Sequence, residues 1–329
     1  MDDILTLLVF QAKKKPYLYT VACGVIAALM QGCSSDADVL DIDFSETIRI
    51  ERPGEKKPEH PHFRVAVAAM VSPKETFGQY RTLLDFIGLE LDREVQLIQR
   101  KTYGEINALF SEGDIDMAFV CSGPYATGKE IYGFEAIAVP QIRGGPYYQS
   151  YLIVNKDSPF YTLEDLKGRK FAFTDPDSNT GSLVPTFWLK KMGEKPGSFF
   201  KKVIYTYGHD NSILAVAKSL VDGAAVDGQI WEYYNINDPL YTANTRIVGK
   251  SEPFGNPPLV VAIDLSTQQK DRIRKLILSM HLKPKGKQIL DDLMIDRFVM
   301  PDETWYNTIR HMNELVHKED DETKDISKS

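Results

Sequence analysis

The chain has 329 residues, of which 43% are hydrophobic and 26% are charged. This apolar content can build the cores of about two domains, which excludes a disordered or collagen-like chain. The 46 acidic residues outnumber the 39 basic ones and give a net charge of −7. An acidic balance argues against a general nucleic-acid-binding protein, because such a protein needs a basic face.

The N-terminal segment has the order of a secretory signal. A basic cluster at 13–15 precedes the uncharged stretch 17–30, which is shorter than the ~20 residues of a comfortable membrane span. Residues 30–33 resemble the bacterial lipobox, which implies that residues 1–33 are a lipoprotein signal peptide and that Cys33 carries the lipid. An uncleaved membrane anchor is the alternative. Both interpretations place the bulk of the protein outside the cytoplasm.

Cysteine usage is consistent with an exported protein that has no internal disulfide. Of the three cysteines, Cys23 lies in the signal segment, Cys33 is the lipidation candidate, and Cys121 remains alone. Cys121 follows an apolar strand, where a small buried hydrophobic side chain is the usual role. We therefore expect Cys121 to be buried rather than a nucleophile.

Residues 34–61 are acidic, with prolines near their end, and predict a tether. Beyond them, the spacing of apolar residues predicts strands and helices in turn. The predicted strands are 63–70, 95–98, 115–120, 134–142, 149–154, 170–174, 203–207, 224–226 and 259–263. The predicted helices are 75–91, 103–110, one from about 124, 162–166, 183–192 and 213–221. The remaining region, 266–315, is predicted to be helical. This alternation predicts an α/β fold with mostly parallel sheets covered by helices.

Polar loops between predicted strands and helices are the places to look for a ligand site, because ligands of parallel α/β sheets bind beyond the strands' carboxyl ends. Four such loops occur, at 71–73, 121–125, 175–182 and 208–212. In the third, Ser178, Asn179 and Thr180 offer side-chain donors just before a helix, whose N-terminus adds unpaired N–H groups. Such a loop can hold an oxyanion without Lys or Arg. Ordinary helix capping is the alternative role for these side chains.

The fourth loop contains His209 beside Asp210, a pair that suggests part of a hydrolase triad. However, the sequence has no Gly-x-Ser-x-Gly elbow, and triads are not built from sequence neighbours. We expect His209 to donate to the same anion, with a hydrogen bond to the backbone as the alternative. The sequence contains no glycine-rich nucleotide motif and no Cys/His cluster with zinc spacing, so we expect no cofactor and no metal.

A series of linked motifs runs from residue 65 to about 315. They are 113–118 (GDIDMA), 123–125 (GPY), 148–154 (YQSYLIV), 162–168 (TLEDLKG), 171–176 (FAFTDP) with 178–181 (SNTG), 208–210 (GHD) and 221–227 (VDGAAVD). In this order they resemble the phosphate/phosphite/phosphonate-binding proteins of ABC transporters, the PhnD-like group. The resemblance implies a type II periplasmic-binding fold with two α/β lobes that close on a ligand. Lobe one would hold 62–148 plus 255–329, and lobe two 149–254, with crossings near 147–150 and 251–256.

The resemblance also implies a set of ligand-binding residues. They are Tyr80, Ser122, Tyr125, Ser178, Asn179, Thr180, His209 and Asp227. In this family the loop and histidine of lobe two hold the oxyanion, and tyrosines of lobe one close over it, although core packing is the alternative for Tyr80. Gln229 lies near the position where aminoalkylphosphonate binders carry an acidic residue, so the amide argues against that ligand.

The function implied by the resemblance is that of an extracytoplasmic solute-binding lipoprotein of an ABC importer. It would bind a small phosphorus oxyanion (phosphonate, phosphite or phosphate) between the lobes and pass it to a permease in the inner membrane. It would act as a monomer anchored in the bacterial cell envelope, without nucleic acid and without catalysis. The alternative function is a ligand-sensing module coupled to a membrane sensor kinase.

Overall fold

The computed structural model of the chain describes residues 62–68, 70 and 73–326. The predicted signal peptide, its Cys33 and the tether 34–61 lie outside the described residues, as do Val71 and Ser72 of the first candidate loop. Within the described part, no helix combines the length and the apolar character needed to cross a membrane.

Strands and helices alternate along the described chain. The strands are β1 (Phe63–Val67), β2 (Val95–Ile98), β3 (Met117–Phe119), β4 (Phe134–Gln141), β5 (Tyr147–Tyr148), β6 (Ser150–Asn155), β7 (Lys170–Phe173), β8 (Lys202–Tyr205), β9 (Gly223–Asp227), β10 (Thr245–Lys250), β11 (Phe254–Gly255), β12 (Leu259–Ala262) and β13 (Arg297–Val299). The helices are α1 (Pro73–Leu91), α2 (Tyr103–Ser111), α3 (Ser122–Tyr132), α4 (Val184–Lys191), α5 (Pro196–Phe199), α6 (His209–Ala217), α7 (Gly228–Asn237), α8 (Thr267–Ser279), α9 (Pro284–Asp292) and α10 (Asn307–Ile326).

These strands form two larger sheets. The first sheet has the order β13-β4-β12-β3-β1-β2, and the second has the order β10-β6-β9-β7-β8. In the first sheet, β1, β2, β3 and β4 run one way while β12 and β13 run against them. In the second sheet, β6 runs against the other four strands. Both sheets are therefore mostly parallel in strand direction, as the sequence predicts, and each contains reversed strands.

The chain passes between the two sheets twice. It leaves the first sheet after β4, runs through β5 and enters the second sheet at β6. It returns from β10 through β11 to β12. The short strands β5 and β11 pair antiparallel, with Phe254 opposite Tyr148 and Gly255 opposite Tyr147. The two crossings therefore lie side by side as a narrow two-stranded link.

Both faces of each sheet are buried, because successive side chains of a strand point to opposite faces. In β1, Val65 belongs to the cluster formed with α1, α8 and α9, whereas Ala66 belongs to the cluster formed with α2, α3 and α10. In β7, Phe171 and Phe173 pack with α4 and α5, whereas Ala172 packs with α6 and α7. This two-sided burial explains why the strand sequences are almost continuously apolar.

Several elements of the structure have no counterpart in the sequence-based prediction, among them the short strands β5 and β11 and the four-residue helix α5. Helix α7 and strand β10 were not predicted, and strand β13 interrupts the region 266–315 that was expected to be helical. β13 has three residues and lies at the edge of the first sheet, so it is too short to give a periodic signal. The sequence of α7, GQIWEYYNIN, mixes aromatic and polar residues without a clean apolar stripe, which hides its helical period.

Candidate functional site

The loops that follow the carboxyl ends of strands in the two sheets contact each other directly. Gly123, at the start of α3, packs against the loop that follows β7. A Cβ atom at this position would lie 2.7 Å from the carbonyl oxygen of Asp177 and 3.2 Å from the backbone nitrogen of Asn179. Only glycine permits such a close approach of two backbones. The cleft between the sheets is therefore narrow at this point.

Two hydrogen bonds donated by backbone N–H groups also join loops of the two sheets. The N–H of Tyr103, at the start of α2, donates to the Asp175 carboxylate at 3.1 Å. The N–H of His209, at the start of α6, donates to the Met70 carbonyl oxygen at 2.8 Å. Each bond uses an N–H of a helix's first turn, which has no partner within its own helix. The helix N-termini of both sheets therefore converge on one place.

The third candidate loop folds back tightly on the end of β7. It contains a single π-helical turn, Asn179–Leu183, which leads into α4. The Ser178 hydroxyl accepts the Gly181 N–H at 3.0 Å, so Ser178 has the capping role that the sequence leaves open as its alternative. A Cβ on Gly181 would lie 2.4 Å from the Thr174 hydroxyl, which explains the glycine.

Thr180 is buried within this turn with 1% of its surface exposed. Its carbonyl oxygen accepts the Ser150 hydroxyl at 2.7 Å, which ties the loop to the start of β6. This hydrogen bond fixes the backbone of Thr180, next to Asn179, in the loop that meets α3 at the cleft.

Tyr148 connects the two sides of the site. Its hydroxyl forms a short hydrogen bond with the Ser122 hydroxyl and accepts the Asn179 Nδ2 at 3.1 Å. All three side chains are buried, and the Asn179 Oδ1 has no partner among the described residues. Burial raises the pKa of Tyr148 well above its ordinary value, so its hydroxyl stays protonated. Two predicted residues, Ser122 and Asn179, thus meet through a tyrosine that was not predicted as a ligand.

His209 is held as a neutral imidazole with a defined tautomer. Its Nδ1 accepts the backbone N–H of Asp227 at 3.0 Å and lies 3.1 Å from the Thr174 hydroxyl. An Nδ1 that accepts a hydrogen bond leaves the ring proton on Nε2. Burial lowers the pKa of His209 to about 3, so the ring remains uncharged. The residue can therefore donate one hydrogen bond through Nε2–H to a ligand.

Tyr103 is a second tyrosine that the sequence did not single out. It clusters with Ala68, Met70 and Cys121, and 1% of its surface is exposed. Its hydroxyl is buried without a hydrogen-bond partner among the described residues. An unpaired buried donor is unfavourable, so a ligand acceptor at this position would satisfy it. We call Tyr103, Ser122, Tyr148, Asn179 and His209 the polar end of the cleft.

Asp227 and Tyr80 line a cavity of about 440 Å³, to which the polar end contributes Tyr148. The Asp227 Oδ1 caps α7 by accepting the N–H of Gln229 at 2.7 Å and that of Ile230 at 3.3 Å. Burial raises the pKa of Asp227 to about 7. Burial and the nearby Asp227 carboxylate raise the pKa of Tyr80 to about 12. Both predicted residues therefore line the cavity, and Tyr80 does so as a protonated hydroxyl.

The structure places Tyr125 away from the cleft, contrary to the prediction. Its hydroxyl donates to the Glu303 carboxylate, and its ring packs against Phe134 and Tyr306 in the core of the first sheet. Tyr125 lies in the first turn of α3, which begins at Ser122, and its side chain points to Glu303 and Tyr306 just before α10. Tyr103 and Tyr148 occupy the cleft instead.

Cys121 is buried and free, as expected. Burial raises the pKa of its thiol to about 12, so it is not a nucleophile at neutral pH. Among the described residues, no group of His, Cys, Asp and Glu side chains has the arrangement of a metal site. What the cleft offers is a set of neutral hydrogen-bond donors, which suits the binding of an anion rather than its chemical conversion.

Comparison with known proteins gives a family match over most of the chain. Residues 65–306 match the family described as "ABC transporter, phosphonate, periplasmic substrate-binding protein". This family comprises transport components rather than enzymes.

Individual relatives match parts of the chain. The "Phosphonates-binding periplasmic protein" of Escherichia coli K12 is 32% identical over 154 residues, which are 46% of this chain and 45% of that protein. The "Probable ABC transporter phosphite binding protein PhnD1" of Prochlorococcus marinus is 25% identical over 241 residues, which are 70% of this chain and 81% of that protein. The chain thus spans less than half the length of the first of these relatives.

Solved structures share the fold. A binding protein component of an ABC phosphonate transporter from Pseudomonas aeruginosa has a TM-score of 0.75 at 24% identity, covering 80% of this chain and 88% of that one. PhnD1 from Prochlorococcus marinus in complex with methylphosphonate has a TM-score of 0.70 at 21% identity, covering 78% and 98%. The type II periplasmic-binding fold expected from the sequence is confirmed. With the family match over residues 65–306, the chain belongs to the family of periplasmic substrate-binding proteins of phosphonate ABC transporters.

Proposed function

We propose that this protein binds a small phosphorus oxyanion, a phosphonate, phosphite or phosphate, in the cleft between two lobes and delivers it to an ABC permease. The observation that carries the proposal is the convergence of neutral donors at the polar end of the cleft. The Tyr103 hydroxyl is buried without a described partner, and His209 keeps its proton on Nε2. Neutral donors at helix N-termini suit an oxyanion because, unlike Lys or Arg, they carry no full charge that has to be removed from water when the site is buried.

The proposal is tested by calorimetry on the mature protein with phosphate, phosphite, methylphosphonate, 2-aminoethylphosphonate and sulfate. We expect at least one phosphorus oxyanion to bind much more tightly than sulfate. Asn179 Oδ1, a buried acceptor without a described partner, favours an anion that retains a proton, which sulfate lacks at neutral pH. The absence of binding to every phosphorus compound would refute the proposal.

We further propose that each sheet moves with its helices as one lobe, with 62–148 plus 255–329 in lobe one and 149–254 in lobe two. Support comes from the two-stranded link of β5 and β11, since a narrow link permits hinging and contacts from both sides bias the closed state. Small-angle scattering should give the mass of a monomer and a smaller radius of gyration with saturating ligand. An unchanged profile would contradict hinging.

We also propose that the protein is a lipoprotein anchored in the cell envelope through Cys33. The support is the order of basic cluster, apolar stretch and Gly32-Cys33 in the sequence. Expression with a labelled fatty acid should label the wild-type protein but not Cys33→Ala. Equal labelling of the two proteins would rule out this anchor.

A further inference from the structure

The cavity next to the polar end is large for the ligands named so far. Its volume of about 440 Å³ lies within the ~300–1,000 Å³ of pockets that enclose drug-sized molecules. A phosphite ion has no carbon substituent and a methylphosphonate has one carbon. Either ligand, bound at the polar end, would leave most of this cavity occupied by water.

The walls of the cavity are mainly apolar. Six aromatic side chains line it, together with aliphatic side chains, methionines and prolines. The aromatic residues are Tyr80, Phe119, Tyr147, Tyr148, Tyr151 and Tyr233. Phe119 is almost fully buried. Water confined against such walls forms few hydrogen bonds, so an apolar group that displaces it gains free energy.

The charged and amide groups of the lining are engaged with the protein itself. Arg143 forms an ion pair with Glu232, whose carboxylate also accepts the Tyr151 hydroxyl. Gln229 donates through Nε2 to Asn256 Oδ1 at 2.9 Å. Asp227 uses Oδ1 to cap α7. Among the described residues, the lining therefore presents no cation without an ion-pair partner for a second anionic group of the ligand.

The cavity adjoins the polar end through Tyr148 and Asp227. Tyr148 lines the cavity and bonds Ser122 and Asn179 through its hydroxyl. Asp227 also lines it, and its backbone N–H donates to His209. A ligand whose oxyanion lies at the polar end can therefore extend its substituent into the cavity.

Building on the proposed function, we infer that the preferred ligand is an organophosphonate with a bulky, mainly apolar substituent, of the size of an aromatic ring, that fills this cavity. The phosphonate group provides the oxygens for the polar end, and the substituent displaces water from the aromatic walls. Burying an aromatic ring is strongly favourable. Benzylphosphonate should therefore bind at least about tenfold more tightly than methylphosphonate.

The experiment measures calorimetric affinities of the mature protein for phosphite, methylphosphonate, 2-aminoethylphosphonate and benzylphosphonate. Tighter binding of benzylphosphonate supports the inference. Equal or tighter binding of any of the three smaller compounds overturns it, while leaving the proposed function intact. If neither these four compounds nor phosphate binds, the proposed function itself fails, so the two failures are distinguishable.

A pair of variants of α7 locates the substituent. Ile230 lines the cavity, whereas Ile236 on the same helix is 59% exposed. Ile230→Trp should narrow the cavity and lower the ratio of benzylphosphonate to phosphite affinity by about tenfold or more. Ile236→Trp adds the same side chain at the surface and should leave that ratio unchanged. An unchanged ratio in Ile230→Trp, with phosphite still binding as evidence of folding, would show that the substituent lies elsewhere.

Discussion

The polar end of the cleft and the cavity beside it are built in different ways. The polar end comes from short loops at helix N-termini, and its donors are held by hydrogen bonds such as that from Asp227 N–H to His209 Nδ1. The cavity is enclosed by side chains from distant parts of both sheets and by the crossings between them. On the proposed function, this difference gives the two regions separate roles: the polar end would set the affinity for the oxyanion, and the cavity would select its substituent.

The largest effect on affinity is expected from removing the His209 donor, and this change tests whether the two regions have separate roles. His209→Asn keeps an acceptor for the Asp227 N–H but loses the Nε2–H. A hydrogen bond to a charged group is worth about 1.5–3 kcal/mol, so affinity should fall about 10-fold to 100-fold. Calorimetry should give the same factor for phosphite and for benzylphosphonate. A loss of affinity that differs between phosphite and benzylphosphonate would contradict separate roles for the polar end and the cavity.

A smaller loss is expected from Tyr103→Phe. The Tyr103 hydroxyl is buried without a partner among the described residues, so its removal should not lower the free energy of unfolding of the ligand-free protein. Affinity for each phosphorus oxyanion should fall by about tenfold, because one donor to the anion is lost. Calorimetry and urea unfolding measure the two quantities.

Tyr125→Phe is the matched control for that variant. Its hydroxyl bonds Glu303 outside the cleft, so the variant should bind normally and lose about 1 kcal/mol of unfolding free energy. Unchanged affinity in Tyr103→Phe would remove Tyr103 from the polar end. Weakened binding in Tyr125→Phe would restore the role that the sequence gave it.

The smallest expected effect concerns Asp227, at the border between the two regions. An anion bound nearby raises its pKa further above about 7, so binding takes up a proton and affinity falls as the pH rises. Asp227→Asn stays neutral and can still cap α7. It should bind about threefold to tenfold more tightly than wild type at pH 8 and equally at pH 6. Comparing both proteins at each pH cancels the titration of the ligand.

The ionisation of Asp227 also makes the free energy of unfolding depend on pH, in a direction that can be predicted. Folding raises the pKa of Asp227 from an ordinary 3.8 to about 7, so its contribution to the free energy of unfolding falls as the pH rises from about 4 to 7. Asp227→Asn should lack this decline, as measured by urea unfolding of the ligand-free protein. A pH-independent ratio of affinities together with an unchanged stability profile would show that Asp227 is not protonated in the folded state.

The sequence predicts the polar end better than the cavity, for a physical reason. Ser122, Asn179 and His209 each lie in a polar loop between a predicted strand and a predicted helix, and such loops can be recognised locally. Tyr148 was missed as a ligand because it lies on β5, a strand of two residues without a periodic signal. Tyr125 was assigned from the resemblance of 123–125 to a family motif, and a motif does not show that this hydroxyl bonds Glu303 in the core of the first sheet.

The cavity has no such local signature. Its lining comes from separate stretches of chain, including Tyr80 on α1, Phe119 on β3, the residues 227–233, and 293–295 beyond α9. In its own segment, none of these residues has a neighbour pattern that marks it as part of a cavity. Their common enclosure depends on how the two sheets meet, so the size of the substituent becomes predictable only from the folded structure.

The link of β5 and β11 has a consequence for observing the protein at work. The ring of Trp305 lies 5.9 Å from that of Tyr147 on β5, and a Cβ on Gly255 of β11 would lie 2.8 Å from the Trp305 Cβ. Trp305 thus lies against both crossings, with its indole ring beside Tyr147 and its Cβ beside Gly255. Any rotation of one sheet against the other would change the surroundings of this indole. The fluorescence of Trp305 would therefore report the relative movement of the two sheets.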